Sequence, residues 1–421
     1  MSNSLATNTN RILSISLHGA TLGARFVFIF FLAKYLDPAS VGYYGLFTAV
    51  VGYSIYFVGL DYYTYVTREI LKTPKELQGL LLKSQASLSG LLYLIFIPVV
   101  FAILLKYSGW PQYLFPWFLP ILLLEHFNQE IYRLLIALSQ QITASIILFI
   151  RQGSWALASV ALMTWDPSSR QLQLVMALWV AAGLAAAITA IWKILKLRMG
   201  GWRSSLDWGW IKRGVVVSVA FLLATLSLRG IQTFDRYWLE ALGGIESVGA
   251  YVLFFGVAST LLTFLDAGIF AFTYPALIKL HQSQEYSIAH RKVNHMYVLT
   301  VVLSAGFAWV SWFLLPYLLL WIDNPIYVES IDLYVWLLSA MVINALSMVP
   351  HFALYAQGCD KPIIQSHIAA LFVFVTATWA LSKSLSMMAV PIGLNLSFIV
   401  ILVWKVIAYE KLTKDNTKTS A

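Results

Sequence analysis

The tract Ala20-Thr-Leu-Gly-Ala-Arg25 recurs as Ala224-Thr-Leu-Ser-Leu-Arg229, and each copy has a serine six residues before it and a phenylalanine five residues after it. A second pair of matching tracts follows in the same order, Ser40-Val-Gly-Tyr-Tyr44 and Ser247-Val-Gly-Ala-Tyr251. The chain therefore contains two copies of one design. Both arginines lie inside long apolar segments, and internal repeats with charges at membrane depth are typical of transporters.

The composition is that of a membrane protein. Hydrophobic residues make up 60% of the chain, aromatic residues 15% and charged residues only 11%, which is too apolar for a soluble domain. A membrane-spanning helix needs about 20 apolar residues, and the sequence contains about a dozen such runs. The first run is too long for the core of a signal peptide. The lone Cys359 excludes an internal disulfide and a cysteine metal cluster.

The basic residues indicate how the chain crosses the membrane. The net charge is +9, but Lys and Arg concentrate in alternate loops, which argues against nucleic acid as a partner. The positive-inside bias then predicts an even number of spans with both termini in the cytoplasm. The last basic group on that side is Lys405, Lys411, Lys414 and Lys418.

The longest basic interval, from Lys193 to Arg213, lies at the midpoint of the chain and contains Gly200-Gly201. We interpret it as the hinge between an N-terminal lobe, residues 1–200, and a C-terminal lobe, residues 201–421. Because the first lobe has an even number of spans, the repeats are parallel. The predicted fold is an all-α polytopic membrane protein of about twelve transmembrane helices, in two six-helix lobes around a central cavity.

Polar residues follow one face of the first helix of each lobe, and we predict that they line a cationic substrate cavity. Arginine facing lipid costs at least a few kcal/mol, so such a stripe faces a cavity or the bundle interior. The alternative is that each arginine is structural and bonds neighbouring carbonyl groups. The candidates are His18 and Arg25 in the first span, Arg229, Gln232 and Arg236 in the seventh, and Arg151 in the fifth.

Carboxylates inside the apolar runs are candidates for ion coupling or for structural pairs. Glu130 and Arg133 have the spacing of an ion pair within a helix, and Arg151 is the expected partner of Glu125. Asp235 is adjacent to Arg236.

Asp61 and Asp266 fall within a turn or two of equivalent positions in the repeats, where each is a proton acceptor or a solvated acid near the interface. The histidines lack metal-ligand spacing, and no nucleotide-binding motif occurs. We therefore expect no cofactor, no metal site and no ATP-driven step.

Three motifs carry a resemblance to a known family. They are Gly59-Leu-Asp-Tyr-Tyr-Thr-Tyr-Val-Thr-Arg68-Glu69, Gln129-Glu-x-x-Arg133 with Arg151-x-Gly-x-Trp155, and Phe234-Asp-Arg-Tyr-Trp-Leu239 leading to Val248-Gly-Ala-Tyr251. With them the chain resembles the polysaccharide transporter family, the Wzx-type flippases of the multidrug/oligosaccharidyl-lipid/polysaccharide exporter superfamily.

The resemblance implies a function. Members of that family move undecaprenyl-diphosphate-linked oligosaccharides, such as O-antigen units, across the bacterial inner membrane by alternating access, coupled to a proton or sodium ion. Arg25, Arg229 and Arg151 would attract the diphosphate or acidic sugars. The expected partners are the lipid-linked substrate, membrane lipids, and the polymerase and chain-length proteins of a surface polysaccharide pathway such as that of lipopolysaccharide. The protein would not be an enzyme.

Three alternatives remain at this stage. A multidrug-type cation antiporter of the same superfamily would show a deep acidic cluster. A membrane-embedded glycan polymerase or ligase would need a large outer loop with catalytic residues, and the loops here are short. A non-transporting scaffold gives no reason to bury duplicated arginines.

Overall fold

The protein is entirely helical in the part of the chain that the structure describes. The structure, a computed structural model, describes the backbone of residues 2–419 and the side chains of residues 12–219 and 221–413. No strand occurs within this backbone. Helices satisfy all their backbone hydrogen bonds internally, which apolar surroundings require. The predicted all-α class is confirmed. Lys414 and Lys418, counted above as basic residues of the last segment, lie outside the described side chains.

The first half of the chain contains eight α-helices. They are α1 (Ser2–Tyr35), α2 (Pro38–Gly59), α3 (Tyr63–Lys72), α4 (Lys75–Tyr107), α5 (Phe115–Ala137), α6 (Gln141–Leu148), α7 (Trp155–Trp165) and α8 (Leu172–Leu197). A π-helical segment, Phe149–Ser154, joins α6 to α7, so these three elements form one continuous helix.

The second half contains seven further α-helices. They are α9 (Trp208–Leu265), α10 (Ala271–Gln282), α11 (Tyr286–Ile322), α12 (Pro325–Glu329), α13 (Ile331–Ala356), α14 (Asp360–Leu385) and α15 (Ala389–Thr419). A second π-helical segment, Asp266–Phe270, joins α9 to α10. Helix α9 is interrupted at Gly244, whose φ of 80° and ψ of 170° are not helical, so it consists of two helices in succession.

The helices account for twelve membrane crossings in the described chain. Nine segments are long and apolar enough to cross a membrane. Two of them, Phe221–Gln282 and Asp360–Thr413, each contain two crossings, because Gly244 breaks the first and Ser386 separates α14 from α15 in the second. Helix α5 is a further crossing of 23 residues, and its charged side chains explain why it is less apolar than the others.

The chain divides into two compact units. The first takes in the chain up to Leu36 together with Phe47–Leu222, and the second takes in Asp37–Leu46 together with the chain from Leu223. The start of α2 thus belongs to the unit that contains most of the second half. The lobes 1–200 and 201–421, which we drew from the repeat and the basic interval, stay a prediction.

The glycine pair at the midpoint is fastened to the first unit. The Gly79 N–H donates to the Gly200 carbonyl at 2.8 Å, and the Gly200 N–H donates to the Lys75 carbonyl at 3.0 Å. A Cβ atom on Gly200 would lie 2.5 Å from the carbonyl oxygen of Glu76. Where the sequence suggested a hinge, the structure shows a turn that packs against the beginning of α4.

Replacing Gly200 with alanine is expected to destabilise the first unit by about 1–3 kcal/mol, because the new methyl group overlaps backbone that cannot rotate away. Thermal unfolding of the purified protein in detergent measures the effect. Gly90→Ala on α4, the helix against which Gly200 packs, is the control, since a Cβ there meets nothing within 4 Å. Equal melting temperatures for the two variants would contradict the tight docking of Gly200.

Candidate functional site

The first unit contains a buried ion pair at the π-helical segment. Arg151 Nε lies 2.9 Å from Glu125 Oε2, and the two side chains are only 6% and 9% exposed. The same carboxylate accepts a hydrogen bond from Trp179 Nε1 at 2.7 Å, and Arg151 Nη2 donates to Gln129 Oε1 at 3.3 Å. The pairing of Arg151 with Glu125 expected from the sequence is present and connects α5, α8 and the π-helical segment.

The π-helical segment and two tryptophans hold Arg151 in place. Trp155 Nε1 donates to the Arg151 carbonyl at 3.0 Å, and the Trp155 ring stacks on Trp179 with centroids 5.1 Å apart and planes at 14°. Single-turn π-helical insertions are frequent at functional sites, because they free backbone carbonyls and redirect side chains. The tryptophan stack forms an apolar wall beside the ion pair.

Arg151 keeps donor capacity inside this cluster. Its Nη1 atom is buried without a hydrogen-bond partner, and its Nε atom, although close to Glu125, lacks the alignment of a hydrogen bond. The guanidinium is therefore neutralised by an adjacent charge but incompletely hydrogen-bonded. A buried donor without a partner is costly, and such a group is suited to binding an acceptor on a ligand.

Arg25 lies directly beside this cluster. Its guanidinium is exposed and Nη1 donates to Gln152 Oε1 at 3.4 Å, and Gln152 immediately follows Arg151. The helices approach closely here, because a Cβ on Gly153 would lie 3.3 Å from Thr21 Cα. The structure thus brings together Arg25 and Arg151, two of the predicted cavity residues, on neighbouring elements of one unit.

Arg229, the repeat equivalent of Arg25, has a similar setting in the second unit. Its side chain is exposed, and Nη1 donates to Gln232 Oε1 at 3.0 Å. In both copies of the repeat, therefore, an exposed arginine on the first helix is oriented by a glutamine. An amide oxygen orients a guanidinium without removing its charge.

His18 belongs to a hydrogen-bonded network among α1, α5 and α6. Its Nδ1 atom lies 2.9 Å from the Ser14 carbonyl oxygen and 3.2 Å from Ser145 Oγ, and its Nε2 atom lies 3.2 Å from the Tyr132 hydroxyl. Both ring nitrogens are thus engaged by neighbours within the unit. The geometry gives His18 a role in packing the first helix.

Glu130 and Arg133 form the ion pair that their spacing predicts. Glu130 Oε1 lies 2.9 Å from Arg133 Nη1, and Glu130 Oε2 accepts from Gln85 Nε2 at 2.5 Å. The Arg133 guanidinium stacks over the Tyr63 ring at 3.6 Å. Burial raises the pKa of Tyr63, which lies on the non-spanning helix α3. These contacts join α5 to α3 and α4.

Asp235 and Arg236 both form hydrogen bonds within the second unit. Asp235 is fully buried and accepts from the Tyr251 hydroxyl at 2.5 Å and from the Arg236 N–H at 2.7 Å. Arg236 Nη1 donates to the carbonyl of Gly45 at 2.8 Å. The guanidinium of Arg236 thus fastens the start of α2 to α9.

Asp61 and Asp266 differ in their surroundings. Asp61 is 5% exposed and follows Leu60 in a left-handed turn, with φ values of 50° and 55°. The Asp61 carbonyl accepts a hydrogen bond from the Thr64 hydroxyl at 2.9 Å, so Asp61 lies in the turn that leads into α3. Asp266 is exposed and begins the second π-helical segment.

The structure also shows a buried basic cluster that the sequence analysis missed. Lys405, which we had counted with the cytoplasmic basic residues, is 1% exposed, and its Nζ atom lies 3.3 Å from His351 Nδ1. The His351 ring is stacked against His367. The available signal was the position of Lys405 between Trp404 and Val406, inside an apolar run.

The fold is that of the multidrug and toxin transporters of the MOP superfamily. It matches the inward-facing conformation of a multidrug resistance MATE family transporter with a TM-score of 0.80 at 13% identity, over 97% of this chain and 99% of that chain. A MOP superfamily transporter from Pyrococcus furiosus, described as having a binding pocket of reverse polarity that suggests a different function, matches with a TM-score of 0.61. The identity is 13%, over 97% of this chain and 95% of that chain.

A MATE transporter of Vibrio cholerae, VcmN, matches with a TM-score of 0.56 at 15% identity, over 97% of this chain and 98% of that chain. MATE-like folds have twelve helices in two lobes, which agrees with the twelve crossings described above.

The chain belongs to the polysaccharide biosynthesis protein family, whose pattern matches residues 8–281. No curated protein sequence matches the chain. The family expected from the sequence motifs is confirmed. The chain is thus a multi-pass membrane protein of the polysaccharide biosynthesis protein family, with the fold of MOP superfamily transporters.

Proposed function

We propose that the protein is a flippase that moves an undecaprenyl-diphosphate-linked oligosaccharide across the bacterial inner membrane. The observation that supports this most directly is the pair of exposed arginines at equivalent repeat positions, Arg25 and Arg229, each oriented by a glutamine. Membership of the polysaccharide biosynthesis protein family supports a saccharide substrate.

The arginines suit the charged part of such a substrate. A diphosphate carries several acceptor oxygens, and a guanidinium offers planar, forked donors that bind phosphate in a bidentate way. Arg151 adds an unsatisfied buried donor beside Arg25. The oligosaccharide itself is polar, so it needs a path away from lipid, whereas the polyprenyl chain remains in the bilayer.

Transport would follow alternating access, coupled to a proton or sodium gradient, with both termini in the cytoplasm. The substrate would be an O-antigen unit or a related precursor of a surface polysaccharide. A polymerase and chain-length proteins would then act on the translocated unit. The Pyrococcus furiosus transporter, with its reversed pocket polarity, is a precedent for a change of function within this fold.

Three of the carboxylates in the apolar segments, Glu125, Glu130 and Asp235, are engaged by neighbouring side chains, which weighs against a multidrug-type cation antiporter. Such a transporter needs a membrane-embedded carboxylate that is available to a cation. In the described part of the chain, the buried Glu125 is paired with Arg151, and Glu130 is paired with Arg133. Asp235 is engaged by the Tyr251 hydroxyl.

Deleting the gene in the native host tests the function. We expect loss of surface polysaccharide and accumulation of complete polyprenyl-linked units in the cytoplasmic leaflet, which can be measured by the access of an impermeant glycan-modifying enzyme to inner-membrane vesicles of each orientation. If the units reach the outer leaflet and only their polymerisation fails, the flippase proposal is wrong.

Replacing Arg25 or Arg229 with alanine is expected to lower the export of the lipid-linked unit about 10- to 100-fold, because a hydrogen bond to a charged group is worth roughly 1.5–3 kcal/mol. Surface polysaccharide in a complemented deletion strain measures the effect, with expression and melting temperature checked in detergent. Arg68→Ala, at an exposed position on α3, is the matched control. Normal export by both variants at normal expression would refute the role of these arginines.

A further inference from the structure

Three helices of the second unit each contribute one basic side chain to a single buried cluster. Lys405 on α15 is 1% exposed and His367 on α14 is 9% exposed. Lys405 Nζ lies 3.3 Å from Nδ1 of His351 on α13. The rings of His351 and His367 lie parallel, with centroids 6.4 Å apart and planes at 6°. The cluster consists of Lys405, His351 and His367.

The surroundings of the cluster provide no counter-charge. Among the described residues, Lys405 forms no ion pair with a carboxylate. On α13 the neighbours of His351 are the Phe352 ring at 5.5 Å and the Tyr355 ring at 6.3 Å. From α10, Tyr274 stacks on Tyr355.

The charged groups near the ends of these helices act on other residues. On α15, one turn beyond Lys405, Tyr409 stacks with His290 of α11. Asp360 at the start of α14 acts on Tyr274, and Glu410 acts on Tyr297. Among the described residues, Lys405 and His367 are the charged neighbours that act on His351.

This arrangement favours a single bound proton. An ammonium group buried without a counter-charge is costly, so full protonation of all three groups would place three like charges in an apolar interior. The contact between Lys405 Nζ and His351 Nδ1 needs one donor and one acceptor. If one of the two groups is charged, it donates to the other, so a single bound proton fits the contact whether it lies on Lys405 or on His351. If both groups were charged, they would repel each other.

The cluster is also connected to the helix that carries the substrate arginine. His367 interacts with the backbone of Ala224, the first residue of the repeated tract Ala224-Thr-Leu-Ser-Leu-Arg229. Arg229 follows five residues later on the same helix, a rise of about 7.5 Å. A change of charge on the cluster therefore acts on the backbone of the helix that presents Arg229.

We propose that Lys405, His351 and His367 form a proton-binding site that couples movement of the substrate to the proton gradient. The proton enters through His351, the most exposed member of the three, and is held between His351 and Lys405. Binding and release alter the charge beside α9 and so bias the states in which Arg229 holds the anionic substrate. This inference rests on the flippase function proposed above and identifies its coupling ion.

Proton binding can be measured without any substrate. We compare purified wild-type protein with Lys405→Gln by potentiometric titration between about pH 5 and 9, a range in which an ordinary lysine stays protonated. We expect the midpoint of proton exchange to differ between the two proteins, because the proton shared by Lys405 and His351 in the wild type can be carried only by His351 in the variant. Lys411→Gln, an exposed position on the same helix, is the control and should match the wild type.

A second variant keeps the test decisive if Lys405→Gln fails to fold. His367→Gln removes one member while the Lys405–His351 contact remains, so it should change the midpoint of this titration without removing the proton. Melting curves and size-exclusion profiles identify folded protein. If the folded Lys405→Gln protein titrates like the wild type across this range, the proton site does not exist.

Transport then tests the coupling. In inverted inner-membrane vesicles that contain the lipid-linked saccharide, the wild type and Lys411→Gln should move the saccharide faster when a pH gradient is imposed. Lys405→Gln should lose this dependence on the gradient. A gradient response that persists in folded Lys405→Gln would overturn the coupling. If even the wild type moves no lipid-linked saccharide, the flippase function fails, whereas the titration still decides the proton site.

Discussion

Glu125→Ala is expected to destabilise the first unit by about 3–5 kcal/mol, because removal of one partner leaves a buried charge without compensation. Arg151 is 5% exposed, and Glu125 is its carboxylate partner among the described residues. The Trp179 indole would lose its acceptor in the same substitution. Thermal or denaturant unfolding in detergent, followed by tryptophan fluorescence, measures the loss, since Trp155 and Trp179 stack beside the pair.

Two further variants separate the charge from the packing. The double variant Glu125→Ala with Arg151→Met should recover much of the lost stability, because replacing both members of a buried pair by apolar groups is often neutral. Glu130→Ala is the comparison on the same helix. Its partner Arg133 is 21% exposed and lies one turn away, so water compensates it and the loss should be smaller. If Glu125→Ala and Glu130→Ala lowered the free energy of unfolding equally, burial of Arg151 would not be the cause of the destabilisation.

If the Glu125→Ala, Arg151→Met double variant is stable, it also separates stability from transport. A stable but inactive double variant would place Arg151 at the substrate, where its unsatisfied Nη1 atom is available to a ligand. A stable and active one would make the whole cluster structural. The readout is export of the lipid-linked unit relative to Arg68→Ala.

The ion pairs and the membrane crossings could be predicted from the sequence because they follow local rules. Glu130 and Arg133 are neighbours on any helix, and a lone charge such as Arg151 inside an apolar run needs an acid of similar depth. The run lengths alone gave about twelve crossings. These features depend on helix geometry and on the cost of burying charge.

The Lys405 cluster could not be predicted, because it depends on tertiary packing. The positive-inside bias, which counts basic residues near the ends of apolar runs, assigned Lys405 to the cytoplasmic side. Its burial arises because α13 and α14 pack against α15 and bring His351 and His367 to it. The Gly200-Gly201 turn is a similar case. Its composition suggests a flexible segment, whereas two backbone hydrogen bonds to α4 fix it.

The second repeated tract has a structural meaning that the sequence did not show. A Cβ on Gly42 would overlap the carbonyl oxygen of Ile245, and a Cβ on Gly249 would overlap the carbonyl oxygen of Pro38. The two contacts are reciprocal, because Gly249 lies four residues after Ile245 and Gly42 lies four residues after Pro38. The start of α2 and the part of α9 after Gly244 therefore cross through matching contacts. Such an arrangement is expected of two copies of one motif that are related by a pseudo-two-fold axis. Both segments belong to the second unit.

Gly249→Ala is accordingly expected to cost about 1–3 kcal/mol or more, because the added methyl group overlaps a backbone carbonyl and overpacked cores relax only by shifting whole helices. Gly42→Ala should have an effect of similar size, since the two contacts are equivalent in the repeat. The Arg236–Gly45 hydrogen bond lies at the same crossing, so separation of the helices would break it as well.

Gly52→Ala is the matched control, because it makes the same substitution farther along α2, where a Cβ would meet nothing within 4 Å. Alanine is favoured over glycine inside a helix by about 1 kcal/mol, so this variant should be as stable as the wild type or slightly more so. Melting temperatures in detergent rank the three variants. If Gly42→Ala and Gly249→Ala have the same melting temperature as Gly52→Ala, the helices do not pack closely at the crossing and the repeated tract was not retained for close packing. If both melt well below it by similar amounts, the pseudo-symmetric crossing is what the repeat encodes.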